Sequence, residues 1–228
     1  MCPVVRLPVR RSRTHRAIGD LGPSCGVSVL TVLIWLNGPH GVGKTQVAFD
    51  LHRRLPDSFV CDPEHLVTGL HRMLPEKKLR TDLHGVPLWR YGVRDVLGMV
   101  LPGAAGPVIT PMTVFDPDGL AEIIDPLRAA GHAVHHVTLL ASRDVLLRRR
   151  RARLETTRGS AAQQLDRVLD ALQAPQFARH LNTDGMPIEA VADDIACHAG
   201  LSLEPDVGGL VKRRVRRIGL QLRHVRFG

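Results

Sequence analysis

A glycine-rich loop at residues 38–45 has the residue types and spacing that bind phosphate. Its sequence, Gly-Pro-His-Gly-Val-Gly-Lys-Thr, matches the pattern G-x-x-x-x-G-K-[ST] in full. Glycines let the backbone turn its N–H groups towards phosphate oxygens. Lys44 can reach the β- and γ-phosphates, and the Thr45 hydroxyl can take a Mg²⁺ position. The residues expected to hold ATP here are Gly38, Gly41, Val42, Gly43, Lys44, Thr45 and Gln46.

An acidic group is also needed, and Asp62 is the best candidate. Motor ATPases and GTPase switches use an apolar strand that ends in Asp, but the predicted strands at 107–110 and 133–140 lack one. Small-molecule kinases can place the carboxylate elsewhere. Asp62 follows a predicted strand, where it can accept the proton of an attacking hydroxyl or hold Mg²⁺ through water. The alternative is a turn residue before Pro63.

An arginine run predicts a lid at about 149–165. Arg149 and Arg153 are four residues apart on a predicted helix and share a face, and Arg167 lies on the helix that returns. Such a lid brings guanidinium charge to the transferred phosphate and excludes water. We therefore assign Arg149 and Arg153 to catalysis, with Lys44 and Asp62, and Arg149 and Arg167 to ATP. The alternative is a solvated basic face.

Strands and helices alternate along the chain, which indicates an α/β fold with a parallel sheet covered on both faces. The predicted strands are 29–36, 58–61, 107–110, 133–140 and 180–183. The predicted helices are 44–55, 63–73, 88–101, 117–130, 143–153, 161–172 and 187–199. With the phosphate loop after the first strand, the pattern is typical of a P-loop NTPase of nucleoside-kinase type with five strands.

The formal charge of +9 lies at the two ends of the chain. Residues 1–28 hold five arginines against one acid, and residues 210–228 hold seven basic residues and no acid. The part between is slightly acidic, which argues against a nucleic-acid-binding body. We expect a basic N-terminal extension at 1–28, one kinase-like domain at 29–208, and a basic C-terminal helix at 209–228.

The C-terminal helix has one regular apolar stripe. Val211, Val215, Ile218, Leu222 and Val225 recur at helical spacing among basic residues. Such a helix can lie on an anionic membrane surface or dock on the acidic body of the protein, and both remain open. The four cysteines lack metal-ligand spacing, so we expect reduced thiols in a cytoplasmic protein. If the C-terminal helix binds an anionic membrane, the protein would lie at the inner face of that membrane.

Several segments together resemble the tunicamycin-resistance protein family, P-loop proteins related to small-molecule kinases. They span residues 34–184, and the most specific are Pro-Leu-Trp-Arg at 87–90 and Pro-Met-Thr at 111–113. The chain departs from the expected pattern at His40, where an aromatic residue is expected, and at Ser160, where tryptophan would be unsurprising.

The resemblance implies ATP binding and resistance to tunicamycin-like nucleoside antibiotics. Either ATP-dependent phosphorylation of a hydroxyl or ATP-dependent sequestration at the membrane would explain resistance, and we favour the first. The resemblance also implies substrate contacts by Asp62, Trp89, Arg90 and Thr113. Arg90 would bind a phosphate or polar group, and Trp89 would stack on a base or sugar. The alternative places Trp89 in the core and pairs Arg90 with Asp95 or solvent.

Overall fold

The computed structural model describes residues 31–75, 86–152, 160–177 and 179–205, with side chains at 160–162 excepted. Within these ranges five strands form one parallel sheet in the order β2-β3-β1-β4-β5. The strands are β1 Val32–Asn37, β2 Phe59–Val60, β3 Val108–Pro111, β4 Ala133–Leu140 and β5 His180–Asn182.

Helices alternate with these strands along the chain. They are α1 Lys44–Arg54, α2 Glu64–Met73, α3 Pro87–Val100, α4 Pro117–Ala129, α5 Arg143–Arg151, α6 Ser160–Leu172 and α7 Ile188–His198. Short 3₁₀ turns follow α3 at Leu101–Gly103 and α6 at Pro175–Phe177. The predicted α/β class and five-stranded parallel sheet are confirmed, and every element boundary lies within three residues of its predicted position.

The central strand β1 shows why helices cover both faces. Successive side chains of a strand point to opposite faces. Leu33 and Trp35 pack into one buried cluster with α3 and α4, while Ile34 and Leu36 pack into a second with α1 and α7. Because both faces are buried, the strand is apolar throughout, as the sequence indicated.

The topology brings the chain segments that follow the strands to one edge of the sheet. All the strands are parallel, so their carboxyl ends meet there. The segment after β1 is the phosphate loop, and those after β2, β3 and β4 begin at Cys61, Met112 and Ala141. This edge therefore carries the candidate site.

Two predicted regions, the N-terminal extension at 1–28 and the basic helix at 209–228, lie outside the described residues. None of the helices in the described ranges has the length and apolar character needed to cross a bilayer.

A buried histidine on β4 makes folding stability depend on pH. His136 is 8% exposed, and its ring packs against Phe177 with Nε2 3.3 Å from Oγ1 of Thr138. Burial lowers the pKa of His136 to about 4, and the charges of Arg128 and His180 act in the same direction. The unfolded chain protonates this ring near pH 6.5, so the free energy of unfolding should fall by about 2 kcal/mol from pH 7 to pH 5.

Urea unfolding of wild type and His136→Asn at these two pH values measures this contribution. The variant should lose less stability between pH 7 and pH 5. His135→Asn is the matched control, since the pKa of His135 is also lowered, by burial and by His198, but its ring is less buried. An equally steep fall in wild type and His136→Asn would contradict the assignment.

Candidate functional site

The phosphate loop is folded by glycines in conformations that other residues rarely adopt. Gly38, Gly41 and Gly43 have φ angles of 137°, 89° and 111°. At Gly38 space is also limiting, because a Cβ atom there would lie 2.4 Å from the carbonyl oxygen of Leu139 on β4. Gly43 is the N-cap of α1 and offers no capping side chain. The N-terminus of α1 thus suits an anion, as a bound triphosphate requires.

Lys44 is fixed inside the loop. It is 8% exposed. Its Nζ donates to the carbonyl oxygens of Gly38 at 2.7 Å and Pro39 at 3.2 Å, and to Oγ1 of Thr113 at 2.8 Å. Thr113 in turn donates to the Gly38 carbonyl at 2.7 Å. The ammonium group is therefore held where the loop curls, which fits the role predicted for Lys44.

Asn37, the last residue of β1, joins the loop to the segment after β3. Its fully buried side chain accepts hydrogen bonds from the backbone N–H groups of Gly38 and Val114, each at 2.9 Å. Its Nδ2 donates to the Val114 carbonyl at 2.8 Å. Asn37 was not among the predicted site residues. The sequence did contain a signal for it, because Asn37 is a polar residue at the end of an otherwise apolar strand.

Two arginines of α5 contact the phosphate loop. Arg149 Nη1 donates to the Val42 carbonyl at 3.0 Å. The side chain of Arg150 lies over Gly41, where a Cβ atom would come within 3.2 Å of its Cγ. Arg148 and Arg151 are exposed. Because consecutive helix residues point in different directions, these arginines do not share one face. The loop contact of Arg149 fits the lid interpretation, whereas the exposed Arg148 and Arg151 fit the alternative of a solvated basic face.

Of the other predicted lid residues, Arg153 lies outside the described residues and Arg167 is exposed on α6.

A contact that the sequence did not reveal holds the beginning of α5 in place. The backbone N–H of Ser142, just before α5, donates to both carboxylate oxygens of Asp184, at 3.1 and 3.0 Å. Asp184 follows β5, so the loop after β5 fixes the beginning of the arginine helix.

Asp62 lies where the sequence placed it, just beyond β2 and half-buried. Its Oδ1 accepts the Glu64 N–H at 2.9 Å, which satisfies a donor at the beginning of α2. The neighbouring Cys61 pairs with β3 through its N–H and the Ile109 carbonyl. Burial, together with the charge of Asp62, raises the pKa of Cys61 to about 11, so this thiol stays protonated at neutral pH.

Trp89 and Arg90 are consecutive residues of α3, and the rotation of about 100° per residue points their side chains in different directions. Trp89 is fully buried, with Nε1 3.5 Å from the Pro63 carbonyl, and it packs with Val93 on the core face of α3. The structure therefore places Trp89 in the core rather than at a surface where a base or sugar could stack. Arg90 Nε donates to Glu122 of α4 at 2.6 Å, and this hydrogen bond raises the pKa of Arg90.

Thr45 and Gln46 are half-buried in the first turn of α1. In the part of the chain that the structure describes, no group of three or more His, Cys, Asp or Glu side chains could hold a metal ion. The Thr45 hydroxyl, at the beginning of α1, is a group that could take a Mg²⁺ position beside bound phosphates.

Comparisons with known proteins agree with this geometry. The AAA domain family matches residues 33–176. No curated protein matches the chain. Among solved structures, the tunicamycin resistance protein of Deinococcus radiodurans is 36% identical, with a TM-score of 0.67, covering 77% of this chain and 99% of its own.

Two kinases share the fold at lower identity. The gluconokinase of Sinorhizobium meliloti 1021 is 15% identical, with a TM-score of 0.52, and the match covers 86% of this chain and 99% of that one. The shikimate kinase of Bacteroides thetaiotaomicron is 22% identical, with a TM-score of 0.50, covering 72% and 96%. From the family match and the 36% identity, the chain belongs to the tunicamycin-resistance protein family and has the AAA-domain P-loop kinase fold, which implies nucleotide binding.

Proposed function

We propose that this protein transfers the γ-phosphoryl group of ATP to a hydroxyl of a tunicamycin-like nucleoside antibiotic and so confers resistance to it. The observation that carries the proposal is Lys44, buried and hydrogen-bonded at the centre of the glycine loop. The antibiotic class comes from the Deinococcus radiodurans relative, which is a tunicamycin resistance protein.

In this mechanism the loop N–H groups and Lys44 hold the triphosphate and offset the charge that develops on it. The Thr45 hydroxyl would hold the Mg²⁺ ion, which would offset the negative charge of the β- and γ-phosphates. Asp62 accepts the proton of the acceptor hydroxyl as its oxygen bonds to the γ-phosphorus and the bond to the ADP oxygen breaks. The products are ADP and the phosphorylated antibiotic.

The arginines complete the proposed site. Arg149 already contacts the loop through the Val42 carbonyl, and it would exchange that oxygen for a phosphate oxygen on closure. Arg153 and Arg167 would approach from the lid. Arg90 would contact the antibiotic after leaving Glu122.

Mass spectrometry of the antibiotic tests this function. Incubation of the protein with Mg-ATP and tunicamycin should yield the drug with one added phosphoryl group and an equal amount of ADP. Lys44→Met is the control and should yield neither. If wild-type protein that binds both ATP and drug leaves the drug unmodified, phosphoryl transfer is contradicted.

One observation favours a second candidate, ATP-dependent sequestration without chemistry. Asp62 is used as a helix cap, since Oδ1 accepts the Glu64 N–H at 2.9 Å. A carboxylate with that task alone would leave the site without a base. The protein would then bind the drug while its segment 209–228 attaches it to the cytoplasmic face of an anionic membrane. In the same experiment, this candidate predicts stoichiometric drug binding that requires ATP and gives no product.

A further inference from the structure

We infer that Thr113 is a positioning residue for Lys44, and that its neutral hydroxyl stands where related mechanisms use a carboxylate. The inference rests on the nucleotide binding in the proposed function and reassigns Thr113 from the substrate to the lysine. Its basis is a closed set of hydrogen bonds between the phosphate loop and the segment after β3.

The first step is the position of Thr113 in the sheet. Strand β3 lies beside β1, and its carboxyl end lies next to the phosphate loop. The Met112 N–H continues this pairing by donating to the Leu36 carbonyl at 2.9 Å. Thr113 is the next residue and is 6% exposed. A strand end beside the loop is the place where motor ATPases carry an aspartate.

The second step is what the hydroxyl does. The Thr113 hydroxyl oxygen accepts a hydrogen bond from Lys44 Nζ at 2.8 Å, and the same hydroxyl donates one to the Gly38 carbonyl at 2.7 Å. Donor and acceptor capacity are thus both used, and both partners belong to the phosphate loop. A hydroxyl holds the ammonium without neutralising it, whereas a carboxylate here would form an ion pair that competes with the phosphates.

The third step is that hydrogen bonds to the neighbouring backbone fix the position of this hydroxyl. Its neighbour Val114 is held through both backbone groups by the buried amide of Asn37, at 2.9 and 2.8 Å. The same amide oxygen accepts the Gly38 N–H at 2.9 Å. Loop and hydroxyl are therefore fixed to one side chain, and Lys44 Nζ is aimed before any nucleotide arrives.

Calorimetric titration with ADP tests the inference, using a matched pair of substitutions. Thr113→Val keeps the shape and removes the hydroxyl, and it should weaken ADP binding roughly tenfold. Thr113→Ser keeps the hydroxyl and should restore affinity to within about threefold of wild type. Thr110→Val is the control, because Thr110 is a fully buried threonine on β3 whose hydroxyl has no hydrogen-bond partner among the described residues; it should bind ADP as wild type does.

Equal ADP affinity of Thr113→Val and wild type would overturn the inference, and so would equal losses in Thr113→Val and Thr113→Ser. If Thr113→Val does not fold, Thr113→Ala replaces it, since alanine and serine differ only in the hydroxyl; Thr113→Ser should then bind roughly tenfold more tightly. Absence of ADP binding by wild type would instead contradict the proposed function.

Discussion

Lys44→Met should weaken ATP binding by roughly 30-fold to several thousand-fold. The substitution keeps an unbranched side chain in the buried position but removes the charge aimed at the β- and γ-phosphates. Removing one partner of a buried, hydrogen-bonded charge pair costs about 2–5 kcal/mol, which corresponds to that range. Isothermal titration with Mg-ATP measures the affinity directly.

Arg151→Met is the matched control for this substitution. It also replaces one basic residue by methionine, but Arg151 is exposed on α5. Exposed charges contribute little, so its affinity for Mg-ATP should stay close to that of wild type. A similar loss in both variants would mean that general charge, rather than a positioned ammonium, attracts the nucleotide.

Asp62→Asn should lower kcat for drug phosphorylation by roughly 10²–10⁴-fold while KM for ATP stays unchanged. The amide cannot take the proton of the attacking hydroxyl. It can still accept the Glu64 N–H through its side-chain oxygen, as Asp62 does at 2.9 Å, so the cap of α2 is kept. The substitution thus separates the proposed base from the observed cap. Rates of ADP release with tunicamycin present measure it.

Asp116→Asn provides the corresponding control. Asp116 is the N-cap of α4 and accepts the Gly119 N–H at 3.2 Å, so it is another carboxylate with a capping role. Its replacement should leave kcat unchanged. If Asp62→Asn also turns over at the wild-type rate, Asp62 is only a cap and another group must accept the proton.

The sequence predicted the fold because its strongest signals are local. Buried parallel strands are short apolar runs, and the phosphate loop needs glycines at fixed offsets, so β1 and residues 38–45 could be recognised without tertiary information. The strand order could be expected only in general terms. The observed order places β3 and β4 on either side of β1, and this decides which side chains meet the loop.

Side-chain partners were not predictable in the same way. The sequence left Trp89 undecided between a ligand surface and the core, because an amphipathic helix does not reveal which side its neighbours cover. The sequence suggested Asp95 or solvent as the partner of Arg90, whereas Arg90 forms an ion pair with Glu122 on the neighbouring helix α4. The hydrogen bonds of Asn37 to Val114 join residues far apart in sequence, and no periodicity reports such a pair.

The carbonyl oxygens around Lys44 act as an internal competitor for the nucleotide. Gly38 and Pro39 each accept from Nζ, so an arriving phosphate oxygen must displace an acceptor that the chain itself supplies. Each new hydrogen bond from Nζ to a phosphate is therefore partly offset by the hydrogen bond that the loop gives up. In the proposed reaction, the same carbonyls would take the ammonium back after phosphoryl transfer, which would favour departure of ADP. The loop that captures the nucleotide thus also limits how long it stays.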